Sequence, residues 1–567
     1  MAGRKPPKQE AAGEGVKPSR RRAGSRAKKP RASSAVAALR TAGGRGGLST
    51  AKPDTLTFAR DCWPFLTMGV RDGDPGMAPE AVLFVDSVKK LQKAVEAARE
   101  KKVKLTPYGG GSGVCGGAVP LEGSIPVDIK GLNRILDLDR ESQVVHVEAG
   151  VNGERLERWL NQQGYTLGHF PSSIYSSTVG GWIAARSAGQ MSSRYGKIED
   201  MMVGLDLVLP DGRLASTLPV PRSATGPDWN HLFAGSEGTL GFVTSARLRV
   251  HHFPEHRIFQ GWRFPDLASG MGYMRALMQK GVKPAVARLY DELDSAIALR
   301  GVGRSGGGGA SDDHRGRDSE TLPRDSLFKS VLSLARVQYP SPLRTMVGFG
   351  LSVPSLLNRL TGFIPKQCLF INLFEGRQVR TEAEHKIAMR TAAEFGGHDL
   401  GEAPAQHWFE KRYAVSYRMS VVFDNFAWAD TMEVAADWDH LFGLYLRVKE
   451  ALSREAIVMA HFSHAYRTGG SIYFTFMGGG FDLEDCRSRY GQAWRLALDA
   501  CHRAGGTCTH HHGVGILKAD AMRTEMGPLA RILDGAKAVM DPEMLMNPGK
   551  LGFGEFGGEG EVDLGTA

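Results

Sequence analysis

The segment Gly109-Gly110-Gly111-Ser112-Gly113-Val114-Cys115-Gly116-Gly117 decides the fold, because glycine dominates it. Residues 111–116 satisfy the GxGxxG spacing of a Rossmann dinucleotide loop. Such a loop must open a helix, and Gly117, Pro120 and Gly123 prevent one here. A glycine loop without a helix can still present backbone N–H groups in a concave surface that binds a pyrophosphate. A flexible turn is the alternative for this loop taken alone.

Two later segments have the same character. Residues 171–181 read PSSIYSSTVGG, which places hydroxyls and glycines directly before Trp182, and residues 235–243 read GSEGTLGFV. Hydroxyl and backbone donors can satisfy pyrophosphate oxygens without a full positive charge. Because three such loops occur in this order, the flexible turn becomes the weaker interpretation and a diphosphate-containing cofactor the stronger one.

Short strands and amphipathic helices alternate around these loops, so we predict an α+β fold. Ser87 is predicted to cap a helix, and a second helix is predicted over roughly 153–163. A glycine-rich, charged linker is predicted over about 300–325, followed by an amphipathic helix. Strands are predicted at Val82–Asp86, Val103–Leu105, Ile125–Ile129, Val144–Val147, Leu205–Leu209 and Ser471–Phe476.

The positive charge is concentrated at the N-terminus. The net charge is +10, yet residues 1–45 alone hold 13 Lys and Arg against Glu10 and Glu14, so the remainder is close to neutral. The folded body therefore gives no support for nucleic-acid binding. With almost no apolar residues, the tail is expected to be disordered. A solubilising extension and a contact with acidic lipid or nucleic acid both remain open for it.

The six cysteines and the apolar segments indicate the compartment. No CxxC pair occurs and the basic start lacks an apolar leader, so a cytoplasmic setting is expected. The most apolar stretch, Met346–Ile364, is interrupted by Pro354 and Arg359 and does not read as a membrane span. Its apolar residues fit either a peripheral membrane contact or ordinary packing.

The three loops resemble the FAD-binding domain of the vanillyl-alcohol-oxidase-type (PCMH-type) family. Residues 177–183 (STVGGWI) and 195–200 (YGKIED) resemble its alkyldihydroxyacetonephosphate synthase branch in particular. The resemblance covers roughly 55–550, with gaps. It continues through Arg288–Asp291, Leu373–Gly376, Gly396–Gly397, Gly401–Glu402, Ile472–Phe474 and His510–Gly515.

The resemblance implies a two-subdomain PCMH-type FAD-binding domain, an α+β cap domain and a C-terminal helical segment. We therefore expect a disordered basic tail at 1–50, the FAD-binding domain at 51–255, the cap or substrate domain at 256–505, and a segment returning to the flavin site at 506–567. Some relatives attach flavin to a histidine of the first glycine loop. This loop has none, so non-covalent FAD is implied.

The residues expected to hold FAD come from the three loops and one serine that follows the second. They are Pro107, Tyr108, Gly109, Gly110, Gly111, Ser112, Gly113, Ser172, Ser173, Ser177, Thr178, Gly181, Ser187, Glu237, Gly238, Thr239, Leu240, Gly241 and Val243.

The triplet His510-His511-His512 is a conspicuous polar cluster. On an extended strand only His510 and His512 would converge, and two histidines without Cys, Asp or Glu at ligand spacing make a poor metal site. We therefore expect no metal. The resemblance assigns the triplet to the flavin site, where a histidine can transfer protons.

Tyr473 lies on a strand by alternation and reads as a core tyrosine from the sequence alone. The resemblance matches it to an acid/base tyrosine, whose pKa a histidine pair could lower.

Two arginines are expected at the substrate. By resemblance Arg288 matches an arginine of the synthase site, although an ordinary salt bridge would also explain it. Arg418 matches a phosphate-binding arginine only after a one-residue shift, since an ungapped count places Met419 there. A guanidinium fork is well suited to a phosphomonoester.

Two enzymatic functions and one non-enzymatic function follow. The resemblance implies ether-lipid synthesis, in which acyl-dihydroxyacetone phosphate exchanges its acyl group for a fatty alcohol without net oxidation. The alternative is an FAD-linked dehydrogenase or oxidase for a 2-hydroxy acid, because a fold does not fix its chemistry. A flavin-binding scaffold is the third. The expected partners are the phosphorylated lipid precursor and the fatty alcohol, with a peripheral membrane contact and a homodimer left open.

Overall fold

The structure is a computed structural model, which describes residues 34–44, 47–74, 76–121, 123–302, 351–354, 358, 364–413, 422–423 and 426–554. The helix expected after Ser326 lies outside these residues, as do most of the 300–325 linker and of the apolar stretch at 343–364. The helices are α1 Ser34–Gly43, α2 Lys52–Thr57, α3 Pro64–Thr67, α4 Val88–Lys101, α5 Gly153–Gln162, α6 Val179–Ala185, α7 Ser192–Tyr195, α8 Ile198–Met201, α9 Trp229–Phe233, α10 Leu267–Gln279, α11 Glu292–Val302, α12 Gln378–Glu394, α13 Ala403–Lys411, α14 Leu441–Leu452, α15 Leu483–Arg503, α16 Ala519–Met526 and α17 Ala530–Met540.

Two small sheets form the N-terminal half. The first has the order β1-β2-β4-β3 and the second the order β5-β6-β10-β8-β9, with a two-stranded ribbon of β7 and β11 beside them. Their strands are β1 Leu48–Ser49, β2 Val82–Phe84, β3 Lys104–Tyr108, β4 Ser124–Asp128, β5 Ile135–Asp139, β6 Val144–Glu148, β7 Tyr165–Thr166, β8 Met202–Val208, β9 Leu214–Ser216, β10 Phe242–Arg249 and β11 His251–His252. The predicted α+β class is confirmed.

Helices of this half begin where the sequence indicates. The Ser87 hydroxyl accepts a hydrogen bond from the Lys90 amide at 3.4 Å, which caps α4. One face of α4, which includes Leu91 and Val95, is fully buried. Strand β3 is longer than predicted, so Pro107 and Tyr108 lie in the strand and the glycine loop begins after them.

The expectation of a disordered tail over 1–50 is wrong at its C-terminal end. Residues Ser34–Gly43 form helix α1, in which Val36 and Leu39 are buried in the same core cluster as Leu91 of α4. Two apolar residues in about three turns are enough to pack α1 onto the protein, because α4 already presents an apolar face to it. Residues 1–33 lie outside the described part of the chain.

A seven-stranded antiparallel sheet forms the C-terminal half, in the order β15-β12-β14-β13-β17-β18-β16. Helices α10 and α12 pack on it, as do α14 and α15, around a large apolar core. The strands are β12 His256–Phe264, β13 Val286–Tyr290, β14 Cys368–Gly376, β15 His398–Gly401, β16 Ala427–Asp437, β17 Ile457–Ala465 and β18 Gly469–Gly479.

The last described segment returns to the first sheet. The Leu105 amide donates to the Leu545 carbonyl at 2.8 Å, and the Asn547 amide donates to the Leu105 carbonyl at 2.7 Å. The buried Lys537 ammonium donates to the Thr239 carbonyl at 2.8 Å. Segments about 440 residues apart in sequence therefore pair beside the glycine loops. The expected domain boundaries stay predictions.

A search of the described helices for a membrane-crossing segment finds none that is both long enough and apolar enough.

Candidate active site

The first glycine loop offers a row of free hydrogen-bond donors. None of the backbone N–H groups of residues 109–117 donates to another group within the part of the chain that the structure describes. Gly111 has a φ of +61°, and a Cβ on Gly110 would lie 2.0 Å from the Ser176 carbonyl of the second loop. The loop therefore needs glycine both to turn and to approach its neighbour. A diphosphate would satisfy these amides, so the loop fits FAD.

The second loop lies against the first and forms the other side of the predicted diphosphate site. The Thr178 hydroxyl caps α6 by accepting from the Gly181 amide at 3.4 Å, and the Ser172 hydroxyl accepts from the Gln190 side chain at 3.1 Å. Ser172 is one of three expected cofactor serines that already have side-chain partners. Ser177 accepts from Trp182 at 2.8 Å, and Ser187 lies 2.8 Å from His169. The binding roles of these serines stay predictions.

The third loop is tied to the C-terminal segment. The buried Glu237 carboxylate accepts hydrogen bonds from the amides of Val514 at 2.6 Å and Gly515 at 2.8 Å. Burial raises the pKa of Glu237 to about 7, although these bonds oppose the shift. A Cβ on Gly238 would lie 2.5 Å from Pro107.

The remaining expected residues of this third loop face inward. Thr239 and Leu240 are fully buried, Gly241 has a φ of +139°, and Val243 is partly buried in β10. Neither Thr239 nor Leu240 presents a surface to a ligand in this structure, and the FAD contacts expected for this loop stay predictions.

Tyr473 lies near the middle of the cap sheet. In the antiparallel register it stands opposite Glu433 on β16 and opposite His461 on β17. Its hydroxyl donates to the Thr431 hydroxyl at 3.0 Å, and its ring stacks on the His461 ring at 4.9 Å. Burial raises the pKa of Tyr473 to about 12. The expectation that histidines lower this pKa is wrong, because those imidazoles are themselves buried and uncharged.

Arg288 lies next to this row of side chains. It is a residue of β13, and its Nη2 atom is 2.6 Å from the His461 Nε2 atom. The opposite nitrogen of His461 is 3.2 Å from the Asp294 carboxylate. The buried Nε atom of Arg288 has no hydrogen-bond partner among the described residues. An anionic ligand is the expected partner of this guanidinium, which stays a prediction, and Arg418 lies outside the described residues.

The histidine triplet forms a turn rather than an extended strand. The amides of His510, His511 and His512 donate to one oxygen of Glu433 at 3.2, 3.1 and 2.7 Å. The Nδ1 atoms of His510 and His511 are 3.0 Å apart. The expectation that only His510 and His512 could converge is therefore wrong, since backbone convergence on Glu433 brings neighbouring side chains together.

His464, which no pattern in the sequence singles out, joins this cluster. It is buried, and its ring lies 5.0 Å from that of His510 and 4.8 Å from that of His511. A bulge at Ser463 shifts the register, so that His464 points to the same face as His461 despite a spacing of three. The Ser192 hydroxyl holds its Nδ1 atom at 2.6 Å.

These three histidines have ligand atoms within 4.8 Å of one another, as a metal site would require. The rings of His464 and His510 are stacked at 29°, so their in-plane lone pairs do not converge on one point. The Nε2 atom of His510 is also 3.0 Å from the Tyr466 hydroxyl. The arrangement is therefore better suited to hydrogen bonding than to coordination, and the absence of a metal stays a prediction.

All of these imidazoles are neutral at pH 7. Burial, followed by the Lys197 charge, lowers the pKa of His510 to about 3. Burial likewise lowers the pKa of His461, His464 and His511 well below the usual value. Neutral imidazoles can accept a proton and the neutral Tyr473 phenol can donate one, but pKa values this far from neutrality make each a weak base or a weak acid. The catalytic roles of these residues stay predictions.

The two halves of the molecule meet at this cluster. The Lys197 ammonium, from the FAD-side motif YGKIED, donates to the His510 carbonyl at 2.6 Å. The Ser193 hydroxyl accepts from the Ala465 amide at 3.1 Å. A glycine-lined diphosphate cradle joined in this way to a cap that carries proton-transfer groups defines a two-domain flavin-dependent enzyme.

The comparisons with known proteins agree with this class. A family model for an FAD binding domain matches residues 79–217, and one for the C-terminal domain of FAD linked oxidases matches residues 253–551. The chain therefore belongs to the FAD-linked oxidase family, and FAD is its cofactor.

Among the relatives, the alkyldihydroxyacetonephosphate synthase of Trypanosoma brucei brucei is 30% identical over 87% of this chain and 75% of its own length. A solved structure of an alkyldihydroxyacetonephosphate synthase superposes with a TM-score of 0.70 at 25% identity, covering 92% of this chain and 86% of that one. The mitochondrial D-lactate dehydrogenase [cytochrome] of Arabidopsis thaliana is 26% identical over 83% of this chain and 73% of its length.

Proposed function

We propose that the protein makes the ether bond of ether lipids, exchanging the acyl group of acyl-dihydroxyacetone phosphate for a fatty alcohol without net oxidation. The observation that supports this most strongly is the similarity to alkyldihydroxyacetonephosphate synthases along most of the chain. The proton-transfer groups of the cap are consistent with it, since the exchange requires protons to leave one substrate and reach the other.

The roles of the side chains follow from their surroundings. Arg288, with its free buried donor, holds the phosphate of the lipid precursor, and Arg418 is a second phosphate ligand. Tyr473 stays protonated at neutral pH and gives its proton to the departing carboxylate. Neutral His511 and His512, whose rings lie 5.9 and 5.4 Å from that of Tyr473, accept one proton from the substrate carbon and one from the alcohol. When the ether has formed, one of these protons returns to the carbon and the other to Tyr473. Bound FAD would supply the reactive ring chemistry that the exchange needs, and the glycine loop of residues 109–117 would hold its diphosphate.

Both substrates carry long alkyl chains. We propose that the protein takes them from a membrane surface on the cytoplasmic side through a peripheral contact, because the alkyl chain of a lipid has little affinity for water. A homodimer is compatible with this arrangement, and sedimentation of the purified protein would measure it.

The test is the exchange reaction itself. FAD-loaded protein is mixed with labelled fatty alcohol and acyl-dihydroxyacetone phosphate, and ether product and released fatty acid are counted together with oxygen uptake and dye reduction. Equal amounts of ether and acid, without oxygen or dye consumption, are expected. A preparation with full flavin content that forms no ether contradicts the proposal.

The second candidate is an FAD-linked 2-hydroxy-acid dehydrogenase. The similarity to the Arabidopsis D-lactate dehydrogenase favours it, and Arg288 could clamp a carboxylate as well as a phosphate. Under this function a hydroxy acid would bleach the flavin in the absence of oxygen and reduce an added dye in equal amount. The same flavin spectrum would show no lasting change on adding a hydroxy acid if the ether-forming function holds.

A further inference from the structure

One buried carboxylate organises the histidine turn. Glu433 is completely buried on β16, and its Oε1 atom accepts hydrogen bonds from three successive amides of residues 510–512 and from the Thr509 hydroxyl at 2.7 Å. Its Oε2 atom is 2.5 Å from the Lys518 ammonium, which is also completely buried. The Oε2 atom is 3.4 Å from His512 Nδ1, without hydrogen-bond geometry.

An ionised acid in such a place must be satisfied on both oxygens. Burial opposes the charge, but the Lys518 ammonium, together with the hydrogen bond from the His512 amide, holds the pKa of Glu433 below its usual value. Burial also opposes the charge on Lys518, but the Glu433 carboxylate, through its charge and its hydrogen bond, leads the effects that raise the pKa of that ammonium. Glu433 and Lys518 are therefore both charged. The negative charge lets the Oε1 atom of Glu433 accept four hydrogen bonds from the turn.

The position of Glu433 places the histidine turn beside Tyr473 and His461. Glu433, Tyr473 and His461 are successive cross-strand partners on β16, β18 and β17, so their side chains lie on one face of the sheet. The turn that Glu433 holds lies over the same face. The rings of His511 and His512 consequently lie beside Tyr473. The separation between the phenol and these imidazoles depends on the carboxylate that holds the turn.

We propose that Glu433 is the positioning residue of the active site. Its Oε1 atom fixes the backbone of residues 510–512 and thereby aims His511 and His512 at Tyr473, while Lys518 balances its charge. This inference rests on the proposed function for its kinetic consequence only. The effect on the turn itself can be measured whatever reaction the enzyme performs.

Two charge-balanced double variants separate the hydrogen-bond acceptor from the charge. Glu433→Gln with Lys518→Met keeps an oxygen at the place of Oε1, whereas Glu433→Leu with Lys518→Met has none. Glu157→Gln is the matched control, because it changes a buried acid that accepts from Thr166 and Leu167 in the FAD-binding half. Flavin content and melting temperature are recorded for each variant before any comparison.

The first measurement is hydrogen exchange of the peptide covering residues 507–517. We expect protection in the wild type and in the Gln double variant, and exchange faster by about tenfold or more in the Leu double variant, because unbonded amides open freely. The helix α15 peptide should not change. Wild-type amides of residues 510–512 that exchange as fast as an exposed loop would overturn the proposal even if neither double variant folds.

The second measurement is the rate of the exchange reaction. Misplacement of a catalytic group by about 1 Å costs on the order of 100-fold. We therefore expect kcat of the Leu double variant to fall by about 100-fold with KM within about twofold, and kcat of the Gln double variant to stay within about tenfold of wild type. Equal kcat values for the two double variants would overturn the positioning role. A wild-type enzyme that forms no ether rejects the proposed function and leaves the exchange measurement as the test of this inference.

Discussion

Replacing Tyr473 by phenylalanine removes one hydroxyl and leaves the ring. The ring keeps its stack on His461 at 4.9 Å, and the only hydrogen bond recorded for the hydroxyl among the described residues is the one to Thr431 at 3.0 Å. Loss of such a bond costs about 0.5–1.5 kcal/mol of unfolding free energy. General acid catalysis contributes about 10²–10⁴-fold to a rate. We therefore expect a loss of activity far larger than the loss of stability.

The direction of proton transfer follows from the pKa of this residue. With a pKa of about 12, Tyr473 is a phenol throughout the physiological range and acts as a proton donor. In the variant kcat should fall by about 100-fold or more, while flavin content and KM for the acyl substrate stay close to wild type. The assay counts labelled ether and released acid, with Thr431→Val as a control that removes the hydrogen-bond partner but keeps the phenol. Undiminished ether formation by Tyr473→Phe would refute the donor role and transfer it to the histidines.

Four further outcomes are expected. Acid or heat precipitation should release FAD into the supernatant, and flavin that remains with the precipitate would disprove non-covalent binding. Deleting residues 1–33 should leave the melting temperature unchanged. Deleting residues 1–45 should lower the free energy of unfolding by roughly 2–4 kcal/mol, because Val36 and Leu39 are then missing from the core. Equal melting temperatures for the two deletions would show that α1 does not stabilise the fold. Glu237→Ala should lower the unfolding free energy by about 1–3 kcal/mol for each amide left unbonded, as measured by denaturant titration with Glu157→Gln for comparison. Because the pKa of His510 is about 3 and that of Tyr473 about 12, with the other histidines also below their usual value, none of them should give a limb in kcat from about pH 7 to pH 9. A limb at about pH 6 is expected only from Asp294 beside His461, whose pKa burial raises to about 6, and a limb at about pH 8 that disappears in Tyr473→Phe would contradict a phenol that stays protonated.

Local signals predicted much of the fold. The Ser87 cap, the alternation through Tyr473 and the helix-breaking residues after the first glycine loop each act within a few residues, and the structure confirms all three elements. Helix α1 gave almost no such signal. Its sequence, SAVAALRTAG, contains a short apolar face that becomes significant only when α4 lies against it.

The cluster around Tyr473 could be predicted only in part. The triplet at 510–512 is conspicuous by composition, and the resemblance supplied Arg288. His464 was missed because its spacing from His461 indicates opposite faces, and the register shift at Ser463 leaves no mark in the sequence. Glu433 and Lys518 were missed because a single acid in a strand and a single lysine after a turn read as surface residues until their burial is known.

Because Leu105 pairs with the segment around Met546, the first sheet cannot be completed until the C-terminal segment has been synthesised. During synthesis β3 leaves the ribosome about 440 residues before its last partner, which at ordinary elongation rates is roughly 20–90 s. Throughout that interval the sheet beside the flavin loops has an open edge, and open edges pair with other chains. We therefore expect versions that end before Leu545 to accumulate as aggregates even though every residue of the glycine loops is present.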